Sequence, residues 1–376
     1  MIRTLNKLFN FIKNLLLFLE FQSLKLFFPK RKSSAESILF VNTGQIGDLL
    51  VSSLILENEN IFQCRVIFLV NEQYRNLFYE YKGKADLIFF NLKKVKYNIF
   101  YKIKLFSEIK KLNISKVYNL SPARGMIVEQ LTLLSSAFKV YTICSNIIYL
   151  GKFWGSIMNN FYDEILFEGT KNEYKKHFML LDILSKDRKL DIIFNNNVIF
   201  NLSTSEDSLR KYNLSKKEYI VIAPLTGDMK RSWGINNYMN LVERLTGKYN
   251  VVLIGSTTEI NLLETVRNNN EKVSILTPQL YQMAYFIFHS RFYIGNHSGL
   301  THFALKLNIP FLAILDGGFF DMYMPFDESN PNNNYIYNKM DCFGCQMHCI
   351  YDKMYCLTDI TFENVFQKVN DILNKN

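Results

Sequence analysis

Three turns in the chain combine glycine with side chains that could do chemistry. The first is GQIGD, residues 44–48, in which two glycines bracket a turn that ends on a carboxylate. Gly44 and Gly47 let the backbone turn tightly and approach a ligand closely, and Asp48 could act as a general base toward a hydroxyl group. The same carboxylate could instead only cap the helix that follows. These residues alone leave both interpretations open.

The second turn is APLTGDMKRSWG, residues 223–234, directly after an apolar strand. Thr226 and Gly227 offer a hydroxyl group and backbone donors, and Lys230 and Arg231 place two cations close to them. This composition suits a diphosphate, whose oxygens accept charge-assisted hydrogen bonds. The alternative is a solvated basic loop that Trp233 anchors in the core.

The third turn is YIGNHSGLTH, residues 293–302, where a strand ends and Ser298-Gly299 opens a helix that carries His302. The unsatisfied N–H groups at a helix N-terminus bind anions readily. Ser298 and Thr301 add hydroxyl groups, and a histidine one turn further on can donate to a phosphate. A structural histidine is the alternative.

Four cysteines lie close together near the C-terminus, at positions 342, 345, 349 and 356. The first pair has the spacing of a metal knuckle, but the second pair does not complete the usual pattern of two such pairs. Stable disulfides are not expected in a cytoplasmic protein. A structural metal site and four reduced thiols both remain open.

Alternating strand and helix patterns surround these turns. They occupy residues 38–120 and start again at residue 219, which indicates two α/β units with parallel sheets. We therefore predict two doubly wound domains facing across a cleft, with ligands at the carboxyl ends of the strands. Between the two units, residues 150–187 are predicted to be helical, and residues 74–81 carry a further helical pattern.

The N-terminal segment is the most basic part of the chain. Its first 32 residues carry seven Lys or Arg and one Glu, which is six of the ten positive charges in the net charge of +10. A basic charge concentrated at one end argues against a nucleic-acid-binding surface over the whole protein. Apolar residues at spacings of three and four predict an amphipathic helix, either in the interface of an anionic membrane or docked on the protein's own surface.

The three turns together resemble glycosyltransferase family 9, the bacterial heptosyltransferases with the GT-B fold. The resemblance rests on GQIGDLL, on KRSW and on GNHSGLTHFALKLNIPFLAIL, and it runs from about Ile38 to the C-terminus. It implies a basic segment (1–32), an acceptor-binding Rossmann-like domain (33–205), a nucleotide-sugar-binding Rossmann-like domain with the cysteines (206–357) and a C-terminal helix (358–376).

The resemblance also implies an activity. The family transfers a sugar with inversion, typically heptose from ADP-heptose, to a lipopolysaccharide-core or other surface-glycan acceptor, and it needs no catalytic metal. By position, Asp48 matches the catalytic base. The expected donor-binding residues are Thr226, Gly227, Lys230, Arg231, Glu259, His297, Ser298, Gly299 and His302. The expected acceptor-binding residues are Gly44, Gly47 and Arg124.

Two features of the chain qualify this expectation. His297 stands where the family usually has Asp, so a different nucleotide sugar or a protein acceptor is the main alternative. The autotransporter heptosyltransferases of the family carry a four-cysteine iron finger, so a structural zinc or iron ion is expected at Cys342, Cys345, Cys349 and Cys356. The remote alternative is a basic, metal-containing nucleic-acid-binding protein. The predicted partners are a nucleotide sugar, a lipid-linked acceptor and an anionic membrane, which places the enzyme on the cytoplasmic face of the inner membrane.

Overall fold

The computed structural model describes residues 2–32, 36–79, 81–144, 146–185, 194, 202 and 207–375. The chain forms two compact units. The first contains residues 1–76, 82–170 and 175–192, and the second contains residues 77–81, 171–174 and 193–376. The domain boundary that the sequence predicts between residues 205 and 206 lies in a stretch outside the described residues.

The first unit is built on a parallel sheet of six strands in the order β3-β2-β1-β4-β5-β6. Its central strand SILFV is fully buried, as expected for a parallel strand that is covered on both faces. The strands are β1 (Ser37–Val41), β2 (Arg65–Asn71), β3 (Asp86–Phe90), β4 (Lys116–Asn119), β5 (Lys139–Thr142) and β6 (Glu164–Ile165).

Helices flank this sheet, and most of them follow a strand directly. Asn91 and Asn98 accept hydrogen bonds that cap the N-termini of two of the helices. The helices are α1 (Ile2–Lys25), α2 (Ile46–Ser52), α3 (Leu54–Glu57), α4 (Leu92–Tyr97), α5 (Ile99–Lys110), α6 (Met126–Leu133), α7 (Gly151–Asn159) and α8 (Glu173–Leu184), of which α8 begins in residues assigned to the second unit.

The N-terminal helix α1 packs one face on the first unit and leaves the other in solvent. Phe21 and Leu24 are buried in the core of the unit, and Gln130 of α6 donates a hydrogen bond to the carbonyl of Leu17. Leu16 and Leu19 are 62% and 54% exposed. The helix is thus docked on its own protein and still presents an apolar face. None of the helices in the described part of the chain combines the length and the hydropathy of a membrane span.

The second unit repeats the plan with the order β12-β11-β10-β7-β8-β9, again all parallel. The strands are β7 (Tyr219–Ala223), β8 (Asn250–Ile254), β9 (Val273–Leu276), β10 (Phe292–Asn296), β11 (Phe311–Ile314) and β12 (Asn333–Ile336). The helices are α9 (Asp207–Arg210), α10 (Ile235–Leu245), α11 (Ile260–Arg267), α12 (Leu280–Phe288), α13 (Gly299–Lys306), α14 (Tyr355–Thr358) and α15 (Phe362–Leu373).

Strand order locates the positions where each sheet can bind a ligand. In an open parallel sheet, ligands bind at the carboxyl ends of the strands where the order reverses. That point lies between β1 and β4 in the first unit and between β10 and β7 in the second. The turns at residues 44–48, 226–231 and 297–299 all follow one of these four strands, so the topology brings the three sequence motifs to the two switch points.

Two local predictions were wrong. Residues 150–187 are not one helical region, because the strand β6 and irregular segments separate α7 from α8. The pattern at residues 74–81 belongs to a 3-10 helix, Glu72–Phe78. Short strands such as β6, with two residues, have too little sequence to show a period, so only the pairing with β5 reveals them.

Candidate active site

Asp48 lies in the first turn of α2, directly after β1. The helix begins at Ile46, and Gln45 takes the N-cap position, so Asp48 occupies the third helical position and not the cap itself. Its Oδ2 accepts the backbone N–H of Gln45 at 2.6 Å. Asp48 therefore does cap the helix, from inside the first turn. The capping interpretation and the functional one share the same carboxylate.

Gly44 makes the position of Asp48 possible. A Cβ atom at residue 44 would overlap Cβ, Cγ and Oδ2 of Asp48. Its backbone φ needs no glycine, so the requirement comes from close approach between the two residues. The sequence motif thus places glycine where the carboxylate folds back over the turn.

Two polar residues fix this turn to the sheet. The buried Asn42 donates to the Asp48 carbonyl at 3.0 Å and accepts the N–H of Gly44 at 2.7 Å. Ser121, which follows β4, accepts the backbone N–H of Thr43 at 3.0 Å. The turns after β1 and β4 are therefore held together at the switch point. Sequence reasoning missed Asn42 and Ser121, because an isolated Asn or Ser at a strand end is an ordinary residue.

A cavity of about 470 Å³ opens beside Asp48, at the switch point of the first unit. Its polar wall includes Thr43, Asp48 and Ser121, and the exposed Lys13 and Lys96 also line it. Lys13 comes from α1, so the N-terminal helix forms part of the wall. The other lining residues are Asn14, Leu17, Gly44, Gln45, Leu92, Pro122, Ala123, Gly125, Met126, Ile127, Val128 and Tyr149. The cavity can hold a polar group next to the carboxylate and an apolar group beyond it.

Arg124 does not reach this cavity. It is fully buried, and its Nε donates to Glu129 at 2.6 Å while Nη1 donates to Asn159 at 2.6 Å. The Glu129 carboxylate counteracts the desolvation of the guanidinium, so the pKa of Arg124 stays above its usual value despite burial. Its neighbours Ala123 and Gly125 line the cavity instead. This geometry favours a structural ion pair over the acceptor contact that was expected.

The cationic turn, residues 226–231, follows β7 in the second unit. Arg231 Nε donates to Asp316 Oδ2 at 3.0 Å, and Nη2 donates to the carbonyl of His297 at 2.9 Å. Lys230 is exposed, as is Gly227. Thr226 is nearly buried and donates its hydroxyl hydrogen to the carbonyl of Asp228. The structure thus anchors Arg231 beside the third motif and leaves the Lys230 ammonium in solvent.

Two buried side chains hold the cationic turn against β10. Asn296 accepts the backbone N–H of Trp233 at 2.9 Å and donates to the carbonyl of Pro224 at 2.8 Å. Trp233 is buried and donates its indole N–H to the carbonyl of Ile360 at 2.7 Å. Trp233 therefore is a core anchor, and this is compatible with a functional Arg231 two residues earlier.

The helix α13 begins where the third motif predicts. Ser298 takes the N-cap position, Gly299 is the first helical residue and His302 lies in the first turn. His302 is buried, and its Nδ1 shares a hydrogen bond of 2.9 Å with the hydroxyl group of Tyr174. If the tyrosine donates, the remaining proton of the neutral imidazole lies on Nε2, which can donate to an anion. The Thr301 hydroxyl instead turns inward to the carbonyl of Asn296.

His297 and His302 are both neutral in this environment. Burial lowers the pKa of His297 to about 4; the Arg231 charge adds to this effect and Asp316 opposes it. Burial lowers the pKa of His302 to about 3, with smaller contributions from His297 and Arg231. His297 Nδ1 is buried without a hydrogen-bond partner among the described residues and lies 3.9 Å from Asp316 Oδ2. The two histidines therefore add no positive charge here, and the cation beside them is Arg231 of the neighbouring turn.

Glu259 follows β8, the strand beside β7 in the sheet. Its Oε2 accepts hydrogen bonds from the backbone N–H and the hydroxyl group of Ser256, each at 2.7 Å. These bonds hold the turn before α11, whose N-cap is Glu259. The carboxylate thus lies at the same edge of the sheet as the cationic turn, and it has a structural task there.

The four C-terminal cysteines lie near one another but do not form a metal site in this arrangement. Partial burial and the neighbouring Cys345 and Cys349 raise the pKa of Cys342, and burial raises the pKa of Cys356. In the described part of the chain, no group of three or more His, Cys, Asp or Glu is arranged to hold a metal ion. The structure therefore shows no metal site at the described cysteines.

Sequence reasoning missed Asp316, which follows β11 in the segment LDGG. Its side chain is fully buried. Its Oδ1 accepts a hydrogen bond from the backbone N–H of Gly318 at 2.9 Å, and its Oδ2 accepts one from Nε of Arg231. The signal was a carboxylate followed by two glycines at a strand end, the same residue types that marked Asp48.

Part of the second unit matches a known protein family. Residues 194–350 match the model of glycosyltransferase family 9, the heptosyltransferases. No curated protein sequence matches the chain.

Solved structures share the fold at low sequence identity. The family 9 glycosyltransferase of Veillonella parvula is 16% identical, with a TM-score of 0.69 over 92% of this chain and 99% of that one. The ADP-heptose lipopolysaccharide heptosyltransferase II of E. coli is 16% identical, with a TM-score of 0.66 over 90% of this chain and 99% of that one. The iron-containing dodecameric glycosyltransferase TibC of enterotoxigenic E. coli is 14% identical, with a TM-score of 0.51 over 92% of this chain and 78% of that one.

These matches confirm the predicted fold class, since the two six-stranded parallel sheets are those of the GT-B heptosyltransferase structures. The family model covers the second unit's cationic turn, the start of α13 and the cysteines as far as Cys349. Residues 194–350 therefore resemble glycosyltransferase family 9, the heptosyltransferases, and the chain as a whole shares the fold of solved heptosyltransferase structures.

Proposed function

We propose that this chain is an inverting glycosyltransferase that moves heptose from ADP-heptose to a lipopolysaccharide-core or other surface-glycan acceptor. One observation carries the proposal: each sheet has a chemically suited turn at its own switch point. The first has a carboxylate beside a cavity, and the second has a held arginine beside a helix N-terminus. The name of the E. coli relative, an ADP-heptose lipopolysaccharide heptosyltransferase, supports the choice of donor and acceptor.

In this proposal Asp48 is the general base. A direct displacement at the anomeric carbon requires removal of the proton from the acceptor hydroxyl, and a positioned carboxylate can accept it. Asp48 lines the cavity of the first unit, where Thr43 and Ser121 offer hydrogen bonds to a sugar hydroxyl. The lysines 13 and 96 on the same wall favour an anionic acceptor.

The second unit supplies the donor site. Arg231 and the exposed Lys230 carry the positive charge that stabilises a leaving diphosphate. The N–H groups at the start of α13 and a proton on His302 Nε2 add hydrogen bonds to the phosphate oxygens. We assign Ser298 and Gly299 to this contact with the phosphate oxygens. We also assign Thr226 and Gly227, in the neighbouring cationic turn, to donor binding. Arg231, His302 and the N–H groups at the start of α13 are already held in place, which is the usual source of catalytic stabilisation.

The alternative is the same fold with another nucleotide sugar or a protein acceptor. The observation that favours it is His297, a buried neutral side chain where the family usually has Asp. Replacing a carboxylate with a neutral imidazole removes a charged acceptor for sugar hydroxyl groups. This change at position 297 favours a donor sugar other than heptose.

The N-terminal helix supports a membrane location. The exposed apolar face of α1 is flanked by Lys13, Lys25 and the basic residues 30–32, a pattern that suits the surface of an anionic bilayer. We propose that the enzyme binds the cytoplasmic face of the inner membrane through this face.

A structural zinc or iron ion at the four cysteines remains a prediction, for which the iron-containing TibC is the supporting relative. Elemental analysis of the purified protein tests it.

A donor screen tests the proposed function. The purified full-length chain is incubated with a panel of nucleotide sugars and with lipopolysaccharide that lacks heptose, and products are identified by mass spectrometry. We expect a product heavier by one heptose, formed with ADP-heptose. Transfer from a different nucleotide sugar would select the alternative. Salt-sensitive RNA binding without any nucleotide preference would contradict both.

A further inference from the structure

The turn at residues 316–318, here called the glycine turn, holds Arg231 in place. Asp316 is fully buried and its Oδ2 accepts Arg231 Nε at 3.0 Å. Phe319, directly after the glycine turn, places the centroid of its ring 4.7 Å from the guanidinium carbon of Arg231. Since Asp316 and the ring of Phe319 both contact the planar guanidinium, the orientation of Arg231 depends on where the glycine turn lies.

The cysteine loop, residues 342–349, also contacts the glycine turn. The backbone N–H of Gly344 donates to the carbonyl of Gly317 at 2.8 Å, and that of Gln346 donates to the carbonyl of Gly318 at 2.9 Å. The N–H of Gly317 donates to the sulfur of Cys356 at 3.4 Å. Three backbone groups of the glycine turn thus depend on the cysteine-containing segment.

The contact between loop and turn leaves no spare room. A Cβ atom at Gly317 would lie 2.5 Å from the ring of Phe343 and 3.3 Å from Cβ of Cys356. A Cβ atom at Gly318 would lie 2.8 Å from the sulfur of Met347. Packing this close transmits a displacement rather than absorbing it, so a shift of the loop must move the glycine turn.

We propose that the cysteine loop is a positioning element for Arg231, and that it sets the affinity of the donor site for a nucleoside diphosphate. The inference rests on the proposed donor site and adds a part of the chain that the chemistry of transfer does not use. It requires no metal, because the hydrogen bonds and the packing of the loop carry the effect. By linkage, a diphosphate bound to Arg231 stabilises the loop by the same free energy with which the loop improves binding.

A double-mutant cycle tests this coupling. Gly317→Ala forces Phe343 and the loop away, and we expect it to weaken ADP binding about tenfold, the scale of one charge-assisted hydrogen bond that loses its geometry. The dissociation constant is measured by calorimetry on the full-length chain. In an Arg231→Ala background the same substitution is expected to change ADP binding less than about twofold, because the coupling acts through the arginine.

The control is Gly247→Ala, whose Cβ meets only the carbonyl of Arg244 at 3.8 Å. It should leave ADP binding unchanged. An equal loss from Gly317→Ala in both backgrounds would overturn the inference, as would no loss in either. Failure of the unmodified protein to bind any nucleotide would instead overturn the proposed function, and the inference with it.

Hydrogen exchange on the unmodified protein provides a second test that does not depend on a variant folding. Saturating ADP should slow exchange of the amides of Gly344 and Gln346, which donate to the glycine turn. The same amides in Arg231→Ala at saturating ADP should show no slowing. Slowing that persists in Arg231→Ala would mean that ADP covers the loop directly, and it would overturn the role of Arg231 in the coupling.

Discussion

Gly44→Ala tests how Asp48 is positioned. The added Cβ would occupy the space of the Asp48 carboxylate, so the side chain must rotate or the turn must shift. Either movement breaks the 2.6 Å hydrogen bond from the backbone N–H of Gln45 to Oδ2. A misplacement of about 1 Å at a reacting group costs about a hundredfold in rate. We therefore expect turnover to fall at least about a hundredfold.

The same substitution has a smaller effect on stability. Loss of the helix-capping bond costs about 1 kcal/mol, and crowding adds about 1–3 kcal/mol. A protein of this size tolerates that loss, so the variant should remain folded at 25 °C with a lower unfolding midpoint. The affinity for ADP should not change, because the cationic turn belongs to the other unit.

Steady-state transfer to the acceptor, ADP calorimetry and thermal unfolding together separate these effects. Asp48→Asn provides the matched comparison: if Gly44→Ala acts through the carboxylate, the double variant turns over no more slowly than Asp48→Asn alone. Gly247→Ala serves as the control for a glycine substitution at an open site. If Gly44→Ala retains more than half of the turnover, the Gly44–Asp48 contact does not position the carboxylate for transfer.

Two further predictions concern pH and the membrane. Because the pKa values of His297 and His302 are lowered to about 4 and about 3, the unfolded chain binds more protons than the folded one below pH 6.5, so stability should fall as the pH decreases from about 6.5 to 4. Urea titrations of His297→Asn should show a shallower decline, by up to about 1.4 kcal/mol per pH unit, and an unchanged slope would contradict the neutral buried histidine. Leu16→Glu with Leu19→Glu places charges on the exposed face of α1 and should lower sedimentation with phosphatidylglycerol vesicles at least about tenfold. Equal sedimentation of the variant would rule out this face as the membrane contact.

The sequence predicted the elements that have a local signal. Continuous apolar runs such as those of β1 and β7 are typical of buried parallel strands, and both lie at the predicted positions. The turns after them were recognised because glycine, hydroxyl and charged residues cluster where a strand hands over to a helix. This local chemistry placed Asp48, Arg231 and Ser298 at strand ends without knowledge of the sheet order.

Residues that act through a distant partner were not predictable in the same way. Asp316 becomes important only because the sheet places β11 beside β10, which brings its carboxylate to Arg231, 85 positions earlier in the chain. Arg124 shows the converse: its motif suggested a ligand contact, but Glu129 on the following helix pairs with it in the core. A single sequence shows which groups can bind an anion and leaves open which of them the fold neutralises.

The N-terminal helix combines both of the alternatives that its sequence left open. An apolar stripe predicts one buried face, and α1 does pack Phe21 and Leu24 into the first unit. The remaining apolar residues, including Leu16 and Leu19, extend the stripe beyond what that contact can cover. The width of an apolar stripe can be counted in a sequence, but the area that the partner surface buries cannot.

The turnover of Asp48→Asn, measured alongside its affinity for ADP, tests the proposed base directly. The substitution keeps the size of the side chain and removes the negative charge that we propose takes the proton from the acceptor hydroxyl. We expect sugar transfer, followed by mass spectrometry, to fall at least about a hundredfold, whereas the dissociation constant for ADP should stay within about twofold. Transfer at an undiminished rate would contradict the role of Asp48 as the base.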